Sequence, residues 1–430
     1  MNVKTVTVIG ANGTMGANVS GIFAAFGNAR VYMVCRDIEK ARKAAAAAGK
    51  SVRAESIVRN LIPADYSQLE ACVAQSDFVF ESVAEDMALK KEINQKIAGS
   101  LRPGALVGTG TSGLSVTELA GCFPEELRTH YFGVHFFHPP YNLTLCEVIP
   151  TRFSDRTILS QLCDYLHKAL YRTVVVVDDS SAFLANRIGF EFINRAAQYA
   201  DRYRDNGGVD YMDALLGPFT GRAMAPLVTL DFVGLDVHRA IVDNIYQNSC
   251  DRAHETFLLP DYIKQLISDG RLGRKAGEGL YKREVRDDGS RHSLVYDIAA
   301  GQYREPVQYH FLFAQEMQGQ LRVGNYEKAL RVLVLNRSAE AEICLSFLLE
   351  YIAYSVETAL AVSEDIAAAD DCMATGFNWC PPLALAGALG QVCELSALFE
   401  ERLPGRVGEE VLAALKPSRY DFRSYFKARG

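Results

Sequence analysis

Residues 5–16 read Thr5-Val6-Thr7-Val8-Ile9-Gly10-Ala11-Asn12-Gly13-Thr14-Met15-Gly16, an apolar run that leads into three regularly spaced glycines. In a dinucleotide-binding βαβ unit, the first glycine turns the chain off the strand. The second lets the backbone approach a pyrophosphate, and the third lets the helix pack on the strand. The spacing is GxxGxxG, one residue longer than the usual GxGxxG. The sequence therefore predicts a Rossmann fold with cofactor contacts from Gly10, Asn12, Gly13, Thr14, Met15 and Gly16.

The second strand ends at Cys35, and Arg36 follows at once. An acid at this point usually accepts the ribose hydroxyls of NAD, whereas a guanidinium beside a non-acidic residue suits the 2′-phosphate of NADP. Alternatively, Arg36 is a solvated charge that stacks on adenine and Asp37 is the N-cap of the next helix, which leaves NAD open. We predict NAD or NADP, with a slight preference for NADP, and assign Cys35 and Arg36 to the cofactor site.

Short β-branched runs alternate with helical segments up to about residue 180. The predicted strands are 5–9, 31–35, 78–83, 105–108, 133–137, 143–149 and 173–178, and helical composition occupies 14–26, 38–48 and 88–97. Strands returned by crossover helices form parallel sheets. The alternation predicts a doubly wound, parallel α/β domain over residues 1–180.

After residue 180 the strand signals fade, and apolar residues recur at helical spacing in 183–203, 237–248 and 262–268. A polar stretch, 286–291, contains an Asp-Gly pair typical of hairpins. Further helical runs follow at 326–334 and 341–362. We predict an all-α domain over 181–285 and a second, divergent helical domain over 305–430.

Composition narrows the class of protein. The 430 residues are 49% hydrophobic and carry a net charge of −7, so the electrostatic drive for binding nucleic acid or anionic membranes is lacking. Ten cysteines are scattered without a CxxC pair, which is typical of a reducing compartment. No secretory leader or run of 18 apolar residues is evident. We expect a cytoplasmic protein whose partners are neither nucleic acid nor membrane.

Chemistry-bearing residues are densest in 129–150. His135 and Glu147 stand on successive predicted strands, and Pro139-Pro140 allows the chain to double back between them. A carboxylate on one imidazole nitrogen leaves the other to exchange a proton, so the two residues form a candidate acid/base pair. A metal site built from His130, His135 and His138 lacks further acidic or cysteine ligands, and we predict none.

These residues resemble the 3-hydroxyacyl-CoA dehydrogenase family, which carries His-Phe-Phe-x-Pro and, twelve positions after that histidine, Glu-Val-Ile. Other stretches that resemble the family are 81–86 with Lys90, 111–114, 185–187, 217–222, 231–236 and 272–281. Residues 370–379 are similar to the second helical domain of its long bacterial and multifunctional members. The resemblance implies a Rossmann domain followed by all-α C-terminal domains.

The resemblance also implies roles for individual residues. His135 would exchange the substrate proton and Glu147 would orient it, while Ser112 and Asn186 would hold the substrate oxygen. Glu85 and Lys90 would lie on the nicotinamide side. Simpler alternatives are that Ser112 closes a turn, that Asn186 caps a helix, and that Glu85 and Lys90 form a surface ion pair.

Two departures concern the substrate. His138 stands where the family usually has asparagine, and residues 41–75 are fewer than the helical hairpin that usually helps hold coenzyme A. We predict an NAD(P)-dependent oxidoreductase acting on a 3-hydroxyacyl thioester, with coenzyme A as the leading handle. The alternatives are an acyl carrier protein, a small free hydroxy acid, or a catalytically silent dinucleotide-binding scaffold or redox sensor. The expected assembly is a homodimer, or a monomer whose helical domains form an internal pseudo-dimer.

Overall fold

The computed structural model describes residues 1–52, 55–285 and 289–428, and it divides into two compact units. Unit 1 comprises Met1–Phe183 and Val362–Glu364, and unit 2 comprises Leu184–Ala361 and Asp365–Gly430. The chain thus passes from one unit to the other beside the predicted start of the helical half at residue 181.

Unit 1 is built on an eight-stranded sheet with the order β3-β2-β1-β4-β5-β6-β7-β8. Its strands are β1 (Thr5–Ile9), β2 (Arg30–Cys35), β3 (Leu61–Asp65), β4 (Phe78–Glu81), β5 (Leu106–Thr109), β6 (Tyr131–Phe136), β7 (Leu145–Ile149) and β8 (Thr173–Val176). The order reverses between β1 and β4. Ligands of doubly wound sheets bind at such a point, beyond the carboxyl ends of the strands.

The helices of unit 1 are α1 (Thr14–Ala25), α2 (Ile38–Val52), α3 (Glu55–Val58), α4 (Leu69–Ala74), α5 (Met87–Ser100), α6 (Val116–Ala120), α7 (Glu125–Arg128) and α8 (Arg156–Lys168). Apolar side chains of β1, α1 and β4 form one core cluster. In it, the ring of Phe23 lies 5.3 Å from that of Phe78. This packing fixes α1 against the strands that flank the switch point.

The predicted sheet is confirmed apart from two features. Strand β3 is not among the predicted strands, because Pro63 interrupts the strand pattern. It lies at the edge of the sheet, where a residue without an N–H is tolerated. The sheet is also not wholly parallel, since β7 runs antiparallel to β6 and parallel to β8. The turn that brings the chain back from β6 contains no crossover helix, so β7 must reverse direction.

Unit 2 is mainly helical. Its helices are α9 (Ala185–Arg202), α10 (Val209–Leu215), α11 (Pro226–Val233), α12 (Leu235–Asn248), α13 (Asp261–Ser268), α14 (Leu312–Arg322), α15 (Tyr326–Leu335), α16 (Ala339–Val362), α17 (Ala367–Cys372), α18 (Pro382–Gly390), α19 (Leu395–Arg402) and α20 (Glu409–Ala414). The helix α16 is apolar and long enough to span a membrane by composition, but most of it is buried among its neighbours, as in a core helix. Apart from residues 181–183 and 362–364, which belong to unit 1, both predicted helical domains fall within unit 2, and their separation stays a prediction.

A small antiparallel sheet interrupts these helices, and its strands are not among those predicted from the sequence. Its strands are β9 (Tyr281–Val285), β10 (Arg291–Asp297) and β11 (Gln302–Arg304), in the order β11-β10-β9. Residues 286–288 of the polar stretch with the Asp-Gly pair lie outside the described residues, while β9 and β10 on either side are paired. Strands β9 and β11 are only partly buried, so they carry charged side chains and lack the apolar pattern by which strands were predicted.

Candidate active site

The glycine loop follows β1 and meets the loop after β4. Gly10 has a φ of +79°, and a Cβ there would lie 2.4 Å from the carbonyl oxygen of Ser82. A Cβ at Gly16 would lie 2.5 Å from the carbonyl oxygen of Gly10. At Gly13 the nearest atom would be 3.4 Å away, which is ordinary contact. Packing within the protein therefore requires the first and third glycines, whereas the space beside the second is open to a ligand.

The loop also presents the amino-terminal end of α1. Gly13 is the N-cap, no side chain caps the helix, and its first turn holds no acidic residue. Backbone N–H groups at such an end, together with the helix dipole, favour a phosphate group. Asn12, Gly13 and Thr14 are exposed, and Met15 is half-buried. The loop residues present thus fit the pyrophosphate of a dinucleotide.

The end of β2 carries a buried thiol and an exposed guanidinium. Cys35 is buried, and burial raises its pKa although the backbone N–H of Asn12 donates to its sulfur. Arg36 is exposed and makes no hydrogen bond or ion pair to the described residues. An uncommitted guanidinium beside an uncharged thiol is compatible with an anionic group on the ribose.

Asp37 is the N-cap of α2, as expected in the alternative interpretation. Its carboxylate accepts hydrogen bonds from the backbone N–H groups of Glu39 (2.8 Å) and Lys40 (3.1 Å), and these bonds lower its pKa. Asp65, in register with Cys35 on the neighbouring strand, is used similarly and accepts from the N–H of Ser67 at 2.9 Å. Both carboxylates near the end of β2 therefore hold local turns of the backbone.

His135 and Glu147 are opposite each other in the antiparallel pair β6–β7. The imidazole Nδ1 lies 2.8 Å from Oε2 of Glu147, and both side chains are buried. The rings of Phe137 and Phe183 lie 4.6 and 5.6 Å from the imidazole ring. Because a carboxylate only accepts hydrogen bonds, Nδ1 carries the proton and Nε2 remains for proton exchange. The predicted pairing is confirmed.

The other two histidines of this segment have different surroundings. His130 lies 2.9 Å from the hydroxyl of Thr129, and burial lowers its pKa. His138 immediately follows Phe137 and is exposed, yet partial desolvation of its ring lowers its pKa. Within 1–52, 55–285 and 289–428, no three histidine, cysteine or acidic side chains are placed to hold a metal ion.

A buried carboxylate, Glu81, ends β4 and lies in register with Ile9 on one side and Thr109 on the other. It accepts hydrogen bonds from Nζ of Lys90 at 2.9 and 3.2 Å and from the hydroxyl of Thr109 at 2.7 Å. Lys90 is fully buried. The alternative of a surface ion pair between Glu85 and Lys90 is wrong in its placement, because the pair is present at 3.5 Å but Lys90 is buried and lies closer to Glu81.

Glu85 connects this pair to the loop after β5. Its Oε2 lies 3.5 Å from Nζ of Lys90, and its Oε1 accepts from the hydroxyl of Thr111 (2.6 Å) and the backbone N–H of Ser112 (2.8 Å). Ser112 is thus fixed through its backbone. Three residues predicted from the family motifs, Glu85, Lys90 and Ser112, lie together at the carboxyl edge of the sheet.

Comparisons with known proteins agree with this arrangement. Residues 5–180 match the NAD binding domain of 3-hydroxyacyl-CoA dehydrogenases, and residues 183–283 match their C-terminal domain. A probable 3-hydroxyacyl-CoA dehydrogenase of Deinococcus radiodurans is 30% identical over 306 residues, which are 68% of this chain and 86% of that protein. The chain belongs to the 3-hydroxyacyl-CoA dehydrogenase family. It is therefore a member of a family of NAD-dependent oxidoreductases.

Two further members of the family differ in how much of them the chain covers. A probable 3-hydroxyacyl-CoA dehydrogenase of Bacillus subtilis is 27% identical over 344 residues, which are 78% of this chain but only 42% of that protein. A crystal structure of 3-hydroxybutyryl-CoA dehydrogenase from Escherichia coli is 20% identical, with a TM-score of 0.70, and covers 96% of this chain and 99% of its own. The likeness in fold to that solved structure thus extends through the second helical region of this chain.

Asn186, the fourth residue predicted to be catalytic, belongs to unit 2. It is buried in the first turn of α9, whose N-cap is Leu184 and which has no side-chain cap. The alternative that Asn186 caps this helix is therefore wrong. Sequence reasoning gave no role to Glu81 or Thr109. Glu81 was visible in the family-like stretch 81–86, whereas no motif pointed to Thr109.

Proposed function

We propose that the chain interconverts a 3-hydroxyacyl thioester and its 3-oxoacyl form, with His135 as general acid/base. The observation that carries the proposal is the buried pair of His135 and Glu147. It stands near the carboxyl end of β6, in the sheet whose strand β1 ends at the glycine loop. Parallel strands place their carboxyl ends on one edge, where dinucleotides bind in this fold.

The side chains have complementary roles in the proposed reaction. Nε2 of His135 takes the proton of the substrate hydroxyl during oxidation and returns it during reduction. Glu147 holds Nδ1 and stabilises the imidazolium that forms. The Ser112 hydroxyl and the Asn186 amide donate hydrogen bonds to the substrate oxygen. The chemistry that NAD(P) supplies when bound is acceptance or donation of a hydride.

Substitution of His135 tests the mechanism. We expect His135→Gln to lower kcat at least about a hundredfold, since proton transfer loses its general base. The dissociation constant for NADH should stay within about twofold of wild type, because His135 is assigned no contact with the dinucleotide. His130→Gln, in the same segment, is the matched control and should keep normal turnover. Near-normal turnover of His135→Gln would remove the assignment.

We propose NADP as the preferred cofactor, supported by the exposed Arg36 beside the uncharged Cys35. Both nearby carboxylates, of Asp37 and Asp65, are engaged with backbone N–H groups. A carboxylate directed at the ribose would repel a 2′-phosphate, whereas a guanidinium attracts it. The ratio of the Michaelis constants for NAD and NADP tests this proposal.

Coenzyme A is the proposed handle of the thioester, as the names of the similar proteins suggest, with an acyl carrier protein as the second candidate. The second candidate is favoured by residues 41–75, whose described part holds most of α2, the four-residue α3, β3 and α4, and thus one long helix rather than two. Comparing kcat/KM for 3-hydroxybutyryl-CoA with its carrier-protein, pantetheine and free-acid forms separates these substrates. Tight NADH binding without turnover of any of them would favour the silent scaffold or sensor.

A further inference from the structure

The pair of Glu81 and Lys90 is an unusual feature of the carboxyl edge of the sheet. Both side chains are essentially inaccessible to solvent. Removing two charges from water carries a large desolvation cost, which the attraction within a buried pair seldom offsets. A buried ion pair at the ligand edge of a fold is therefore more typical of a functional site than of a device for stability.

The hydrogen bonds of Glu81 saturate its carboxylate. Oε1 accepts from Nζ of Lys90 and from the backbone N–H of Val83 at 2.7 Å, while Oε2 accepts from Nζ of Lys90 and the hydroxyl of Thr109. These partners come from α5, from the loop after β4 and from the end of β5. A carboxylate held from three elements has one position, and so does the ammonium bound to it.

A continuous path of polar contacts leads from Glu81 to the substrate side. Lys90 contacts Oε2 of Glu85 at 3.5 Å, and Oε1 of Glu85 holds the backbone N–H of Ser112. Toward the cofactor side, the backbone of Ser82, the next residue after Glu81, touches Gly10 of the glycine loop. Glu81 therefore lies between the glycine loop and the serine loop.

We propose that Glu81 is a positioning residue, which holds the Lys90 ammonium beside the cofactor and, through Lys90 and Glu85, fixes the loop that carries Ser112. The proposal rests on the proposed function for the roles of Lys90 and Ser112. Glu81 itself touches neither substrate nor cofactor. It acts by supplying the counter-charge that keeps a lysine buried at this edge.

Two substitutions of different severity test this role. Glu81→Gln keeps the shape and removes the charge, and we expect the dissociation constant for NADH to rise at least about tenfold, as for loss of a charge-assisted hydrogen bond. Thr109→Val removes only the hydroxyl that donates to Glu81, and we expect a rise of about threefold to tenfold. The second variant keeps the proposal testable if the first does not fold.

Thr7→Val is the matched control for Thr109→Val. Thr7 is an equally buried threonine of the same sheet, and its hydroxyl bonds to Ser76 at 2.8 Å. It has no contact with the Glu81 carboxylate among the described hydrogen bonds. Its loss should lower the melting temperature to a similar extent while leaving the NADH dissociation constant within about twofold of wild type.

A double-mutant cycle distinguishes positioning from simple stabilisation. Each single variant, Glu81→Gln or Glu85→Gln, raises the NADH dissociation constant by some factor. If Glu81 acts through Lys90 and Glu85, the factor for the double variant should be at least about threefold smaller than the product of the two single factors. Two outcomes would overturn the proposal. One is a factor for the double variant equal to the product of the single factors, and the other is equal NADH affinity of Thr109→Val and Thr7→Val. Both readouts use binding alone. Absence of thioester turnover would therefore defeat the proposed function and leave this test intact.

Discussion

Arg36 is the single residue on which the choice between the two cofactors depends. Its guanidinium is exposed, and among the described residues it makes no hydrogen bond or ion pair. We expect Arg36→Ala to raise the Michaelis constant for NADPH at least about tenfold and that for NADH less than about twofold, because a charge-assisted bond to the 2′-phosphate is lost.

Arg30 provides the control for that substitution. It is also exposed and lies at the opposite end of the same strand, β2, so it is distant from the ligand edge. Arg30→Ala should leave both Michaelis constants unchanged. Steady-state kinetics with the two cofactors decides the question, and a wild-type preference for NADH, or equal losses with both cofactors in Arg36→Ala, would contradict the proposed NADP preference.

Individual site residues differed in how far the sequence could predict them. His135 and Glu147 were predictable because a turn between two strands brings residues of this spacing opposite each other, as the register confirms. The pairing of Lys90 with Glu81 could not be predicted from the sequence, since it depends on how α5 lies against the end of β4. Thr109 joins the site only because β5 lies beside β4. Neighbours across a parallel sheet are not encoded in local spacing.

At the scale of elements, substitutions of the second and third glycines of the loop should differ in effect, because only the third is required by the contact between β1 and α1. Gly16→Ala would force a Cβ within 2.9 Å of the Ala11 backbone and closer still to Gly10, so we expect a loss of about 2 kcal/mol of stability. Gly13 has an ordinary φ of −72° and no close neighbour, so Gly13→Ala should change stability by less than about 1 kcal/mol.

The two variants should separate in binding as well. In Gly13→Ala the new methyl group occupies the space open to the pyrophosphate, and we expect the NADH dissociation constant to rise at least about tenfold with the fold intact. Urea unfolding followed by circular dichroism and NADH titration by fluorescence measure the two effects. A Gly13→Ala protein that binds NADH normally would show that the pyrophosphate does not approach this position.

Elements were predicted best where a strand is buried on both faces. The central strand β1 was found with its observed bounds, because its residues are almost all apolar and it ends at a glycine. The strands that were not predicted are β3, which contains a proline, and the small sheet of β9, β10 and β11, whose outer strands are only partly buried. The edge strand β8 is also partly exposed and was nevertheless predicted, because its Thr-Val-Val-Val run has a high β propensity.

At the scale of the whole molecule, the two units need not unfold together, and unit 2 contains its own probe. Trp379 is the single tryptophan of the chain and is 1% exposed in unit 2. Its fluorescence therefore reports the unfolding of that unit, whereas NADH binding reports the integrity of the glycine loop in unit 1. Different denaturation midpoints for the two signals would show that unfolding is not two-state.

His238 of α12 should make the stability of unit 2 depend on pH. The ring is fully buried and stacks 5.2 Å from Phe190. Its Nε2–H donates to the side-chain oxygen of Asn194 at 2.9 Å, since the amide nitrogen of Asn194 already donates to two carbonyls. Burial lowers the pKa of His238 to about 3. Between that pKa and the unfolded value of about 6.5, the unfolded chain binds one more proton than the folded one.

Stability contributed by the neutral ring is therefore complete above about pH 6.5 and decreases as the pH falls, by up to about 1.4 kcal/mol per unit. Asp370, whose pKa burial raises to about 6, contributes an opposite slope, so we compare wild type with His238→Gln, in which Asp370 is unchanged. From pH 6 to 5, the wild type should lose more free energy of unfolding than the variant by about 1 kcal/mol. Urea unfolding followed by Trp379 fluorescence measures this difference. Parallel pH dependences would mean that His238 takes up its proton without unfolding, and that its ring is not held neutral by burial.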